Sequence, residues 1–112
     1  MEVNMPIIKI KAISQNDVSK ISKILIDDLQ NTTQIPREHF TLELPTSIYI
    51  VDGQVVDGPP MVEVFWFDRG QELQDQVAGL LTRHIQSAGY PDVDVIFTIL
   101  DRNRYYENGE HF

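Results

Sequence analysis

The chain has 112 residues, enough for one domain with a modest core. Hydrophobic residues make up 42% of it and charged residues 23%, a balance that excludes a disordered chain. Nine Lys and Arg against seventeen Asp and Glu give a formal charge of -8, which argues against general binding to nucleic acid or an anionic membrane, since both need a basic surface. Cysteine is absent, so disulfides, thiolate metal sites and a thiol nucleophile are excluded. No apolar run reaches the roughly 18 residues of a membrane span. The opening Met1-Glu2-Val3-Asn4 lacks the basic and apolar regions of a signal peptide. A cytoplasmic protein is expected.

The first element in chain order is a strand, Pro6-Ile-Ile-Lys-Ile-Lys-Ala-Ile13, with Ile8, Ile10 and Ala12 on one face and Lys9 and Lys11 on the other. Ser14 with Asp17 three residues on resembles a capping box. Val18, Ile21, Leu25 and Leu29 then recur at helical spacing. Ile35-Pro36 leads into a second strand, Phe40-Thr-Leu-Glu-Leu44. Between Ser47 and Gly58, Asp52-Gly53 separates two apolar runs and predicts a hairpin. Pro60-Met-Val-Glu-Val-Phe-Trp-Phe67 predicts a strand covered on both sides. Asp68 with Gln71 repeats the capping spacing, and Leu73, Val77, Leu80, Leu81 and Ile85 mark a second helix that Gly89 ends. Tyr90-Pro91 leads into a strand over Val93–Leu100. The tail from Arg102 to Phe112 carries a second turn signal, Asn108-Gly109, and is too aromatic for a solvated end.

Pro60 follows Pro6 by 54 residues and Pro91 follows Pro36 by 55, so the same unit occurs twice. Right-handed crossovers make the strands of each unit parallel and put both helices on one face. The expected fold is α/β (α+β): two βαβ repeats forming a four-stranded mixed sheet in a single domain over 1–112. Residues 1–5 form an N-terminal extension, 6–45 the first unit, 46–59 a hairpin linker, 60–100 the second unit and 101–112 a C-terminal strand or hairpin. Phe65, Trp66, Phe67 and Phe97 supply more aromatic surface than two helices cover, which predicts homo-oligomerisation. The tail is expected to pack across a subunit boundary.

Walker, GxGxxG, GxSxG and HExxH motifs are missing. His39, His84 and His111 are isolated, no metal site is expected, and the scattered acidic residues read as a solvated face. His84 reads as a partly exposed structural residue and His39 as a solvated one. Arg69 stands at a strand-to-helix junction, where ligand-binding loops of α/β units gather; it either holds a carboxylate or pairs with Asp68 or Glu72. Arg102 and Arg104, beside Tyr105 and Tyr106, form a second candidate pocket.

Met5-Pro6-Ile-Ile-Lys-Ile at the head of two such repeats resembles the tautomerase superfamily, which includes 4-oxalocrotonate tautomerase, 5-carboxymethyl-2-hydroxymuconate isomerase and macrophage migration inhibitory factor. Val62-Glu-Val-Phe-Trp-Phe-Asp-Arg-Gly-Gln71 and Tyr105-Tyr-Glu-Asn-Gly-Glu-His-Phe112 resemble blocks of an uncharacterised bacterial branch of it. The resemblance implies a homotrimer with sites at subunit interfaces and a free amino-terminal proline as general base for enol–keto tautomerisation. An α-amino group titrates near neutrality, about 7.7–8.0, without help from a histidine. Pro6 is the matching residue, but while residues precede it its nitrogen is a tertiary amide. Asn16, Gln34 and Thr41 stand where branches of the family place basic residues, which makes Arg69 the replacement candidate. The substrate site then comprises Arg69, Phe67, Arg102 and Ile96, the last from a neighbouring chain, and would take a small carbonyl or enol acid without cofactor or metal. Two alternatives stand beside this reading: a non-catalytic trimeric binding protein of the same fold, and a hydrolase or dehalogenase-like use of the proline.

Overall fold

The computed structural model describes residues 5–111. Residues 1–4 of the expected N-terminal extension, and Phe112, lie outside the described residues. Strands β1 (Ile7–Lys11), β2 (Thr41–Glu43), β5 (Met61–Phe67) and β6 (Asp94–Leu100) form one sheet in the order β2-β1-β5-β6. Helix α1 (Gln15–Thr33) crosses from β1 to β2 and α2 (Gln71–Ser87) from β5 to β6. The strands within each unit are parallel, and β1 meets β5 antiparallel where the units join. The fold is therefore the expected pair of βαβ repeats with a mixed four-stranded sheet.

Alternation along the strands separates the two faces. Ile8, Ile10, Val62, Val64 and Trp66 point toward the helices. There they form one core with Val18, Leu25 and Leu29 of α1 and Val77, Leu80, Leu81 and Ile85 of α2. Trp66 packs against Phe97 with ring centroids 5.3 Å apart, and Phe97 is itself packed on the core. These two aromatics are thus covered within the subunit rather than awaiting a partner. His84 Nε2 lies 2.6 Å from Asp28 Oδ2 and ties α2 to α1, so it is more enclosed than its isolation in sequence implies.

Ser14 caps α1 as expected, its hydroxyl oxygen accepting from the Asp17 amide at 3.1 Å. The second capping box does not form. Asp68 accepts from the Gly70 amide at 2.9 Å, closing a tight turn, and Gly70 itself, at φ 88, begins α2 without a side-chain cap. That positive φ suits glycine, and the turn it allows leaves Asp68 two residues ahead of the cap position of the helix. Gly89, at φ 104, lies just past the end of α2.

The linker is a hairpin of β3 (Tyr49–Val51) and β4 (Gln54–Val56), turned by Asp52 and Gly53, both at positive φ. The tail makes a 3-10 turn over Arg102–Arg104 and a hairpin of β7 (Tyr106–Glu107) and β8 (Glu110–His111) about Asn108-Gly109. No helix among the described residues is long and apolar enough to cross a membrane.

Candidate functional site

The antiparallel register sets Ile7 opposite Phe65, so Pro6, one residue ahead of β1, lies at the end of the sheet where β5 finishes at Phe67. The Pro6 carbonyl accepts from the Thr41 amide at 3.0 Å, which extends the parallel pairing of β1 with β2 one residue ahead of the start of β1. The ends of β5 and β6 reach this same edge, since Phe67 pairs with Leu100. Pro6, Phe67, Arg69 and Arg102 are therefore assembled at one end of the sheet by the strand order, although they come from three segments of the chain.

Phe67 is only 4% exposed and faces away from the helices. Its cover comes from its own tail: the Arg102 guanidinium carbon sits 4.3 Å above the ring centroid, and Tyr105 meets the ring edge-on at 5.7 Å. A guanidinium over an aromatic face is held there by the ring quadrupole. The head of the tail thus docks on its own subunit through Tyr105, while Tyr106, at 61%, is exposed.

Arg69 is partly buried, and its Nε has no hydrogen-bond partner among the described residues. Asp68 is engaged with the Gly70 amide instead. A buried N–H without an acceptor costs free energy. The Trp66 Nε1 is a second buried donor without a partner, on the helix side of the same strand end. Ile96 pairs with Glu63 and shares the open face with Phe67, but lies four residues down β5 from it, about 13 Å away. Within one subunit it does not join Phe67 and Arg102.

Met5 and Pro6 are themselves fully buried, joined by a cis peptide bond. In this chain the Pro6 nitrogen is an amide without a basic lone pair. The open face also carries Lys9 over Phe65 at 4.9 Å and an ion pair of Lys11 with Glu63 at 2.6 Å.

A second concavity lies at the opposite end of the sheet. It is a cleft of about 720 Å³ between residues 12–15, residues 44–47, the 56–60 connection, Tyr49 and Tyr90. Tyr90 organises one wall: its hydroxyl donates to Asp17 Oδ2 at 2.5 Å and accepts from the Ser14 amide at 3.2 Å. The Tyr90 hydroxyl, with help from Ser14, holds the Asp17 carboxyl below its ordinary range. This network escaped the sequence reading, because residues 14 and 90 meet only when α1 and the end of α2 pack together. The one available hint was a tyrosine just after a helix-ending glycine, opposite a capping box in the repeat. Among the described residues no group of three or more His, Asp or Glu side chains gathers to hold a metal ion.

A family model described as a domain of unknown function, DUF1904, matches residues 5–111. A crystal structure of a DUF1904 domain from Sebaldella termitidis is 33% identical; the match covers 96% of this chain and 100% of that one at a TM-score of 0.87. A fused 4-OT asymmetric trimer aligns at 10% identity over 95% of each chain, with a TM-score of 0.77. A macrophage migration inhibitory factor-like protein from Entamoeba histolytica aligns at 14% over 96% of this chain and 99% of that one, with a TM-score of 0.70. No curated protein sequence matches.

Proposed function

We propose, for a chain that belongs to the DUF1904 family and carries the tautomerase fold, a cytoplasmic homotrimer that binds a small carbonyl or enol acid at the Pro6 end of each sheet and tautomerises it when Pro6 is the first residue. The observation that carries the reading is the gathering of Pro6, Phe67, Arg69 and Arg102 at one sheet end, with the Arg69 Nε buried and lacking an acceptor among the described residues. A carboxylate there would satisfy that donor through a charge-assisted bond. Ile96 of a neighbouring subunit would supply an apolar wall. The trimeric state is supported by the fused 4-OT trimer of the same fold.

Chemistry needs the Pro6 amine. With Met5 removed, Pro6 would carry a secondary amine, and the space that the buried Met5 side chain fills would open to substrate. An apolar surround favours the neutral amine, placing a base near working pH. The burial and acylation of Pro6 support a second reading, a non-catalytic trimeric binding protein of the same fold. One assay separates the two: ketonisation of phenylenolpyruvate by the 112-residue protein, a Pro6-start form and its Pro6→Ala variant. Turnover by the Pro6-start form alone is expected. Equal rates from long and short forms would exclude Pro6 as the base, and no rate from either would leave the binding protein.

A further inference from the structure

The second cleft has no part in the chemistry proposed above. By strand length it lies about 20 Å from Pro6. Its volume, about 720 Å³, falls in the small-molecule range of roughly 300–1,000 Å³. Its lining is distinctive in charge. Among the described residues that form it there is no lysine, arginine or histidine, and the carboxylate of Asp57 is its single formal charge. Hydroxyl groups, apolar side chains and two tyrosine rings make up nearly all the rest.

We propose that this cleft binds a small organic cation, an alkylammonium of about the size of choline, between the rings of Tyr49 and Tyr90 with Asp57 as counter-ion. Aromatic faces attract ammonium groups, and more strongly once water is excluded. Tyr49 is set in place by Gly58: a Cβ at that residue would lie 2.2 Å from the ring, so only glycine lets the ring lie there. Tyr90 is held at its hydroxyl by Asp17 and the Ser14 amide, and donation to a carboxylate makes its ring more electron-rich. Asp57 forms no ion pair among the described residues. The nearby cation Lys11, at the end of the adjoining strand, is neutralised by Glu63 at 2.6 Å. An acid entering the cleft would meet only like charge.

The test is an amide-shift titration of the full chain by NMR with choline and with its uncharged carbon isostere, 3,3-dimethylbutan-1-ol. Choline should saturate shifts around residues 13–15, 45–47 and 57–58 and leave Phe67 and Arg102 unmoved, whatever the fate of the Pro6 reading. The isostere should bind about tenfold more weakly or worse, and Asp57→Asn and Tyr49→Leu should each weaken choline about threefold to tenfold. Asp57 is exposed, so its variant keeps the test valid even where Tyr49→Leu fails to fold. Equal binding of the isostere, an indifferent Asp57→Asn, shifts confined to the Pro6 end, or no saturable shift at millimolar choline would each overturn the proposal.

Discussion

At the scale of single residues, the telling atoms are donors and acceptors whose partners come from far along the chain. Asp17 is one. Its carboxyl is held low, first by the Tyr90 hydroxyl and then by Ser14. A carboxyl depressed in the folded state contributes stability above its unfolded pKa, and that contribution is lost as pH falls through the folded value. Tyr90→Phe should therefore lower the urea midpoint at pH 7, with the gap to wild type narrowing below about pH 4. A gap independent of pH would mean that Tyr90 acts by packing alone. Arg69 is the other. If its Nε awaits a substrate carboxylate, Arg69→Ala in a Pro6-start form should cost about 1.5–3 kcal/mol of transition-state binding, or about one to two decades in kcat/KM. Unchanged turnover would pass the role to Arg102.

At the scale of elements, the β3–β4 hairpin is the one least explained by its own subunit. Its pairing puts Ile50 opposite Val55, and these are 67% and 76% exposed, with neighbouring Ile48 at 74%. Its other face, with Tyr49 and Val56, lines the cleft. A cluster of β-branched side chains left in water is the mark of an interface. Ile50→Thr with Val55→Thr keeps β propensity while removing apolar surface. The pair should shift sedimentation toward smaller species while leaving far-ultraviolet dichroism unchanged. An intact oligomer would clear the hairpin of this role. The 3-10 turn and tail hairpin behave differently, because Arg102 and Tyr105 already anchor them on Phe67.

At the scale of the molecule, the sheet is closed on one face and open on the other. The open face mixes Phe65, Ile96 and Leu100 with the Lys11–Glu63 pair, and its edges are β2 and β6. A half-covered sheet with two edges is stabilised when copies of it meet. Sedimentation equilibrium at micromolar concentration should return about three chains per particle. A stable monomer would sink both the trimer and the interfacial wall assigned to Ile96. The site of the Pro6 reading would then have to be built from Phe67, Arg69 and Arg102 of a single subunit.

Much of the architecture was legible in the amino-acid sequence because it rests on local periodicity. Alternating residues in Ile7–Lys11, helical spacing from Val18 to Leu29, and two prolines repeated 54 and 55 residues on determine two βαβ units without reference to anything distant. The glycine-bearing turns at Asp52-Gly53 and Asn108-Gly109 follow from backbone sterics alone. Capping was legible at Ser14, where the side chain needs only its own helix, and not at Asp68, where the turn at Gly70 took the carboxylate first. What only the tertiary structure decided are encounters between segments. These are Arg102 and Tyr105 folding back over Phe67, Tyr90 closing on Ser14 and Asp17, and a cleft at the end of the sheet away from Pro6. Such meetings depend on strand register and helix packing, which sum many weak contacts, and no spacing along the chain records their outcome.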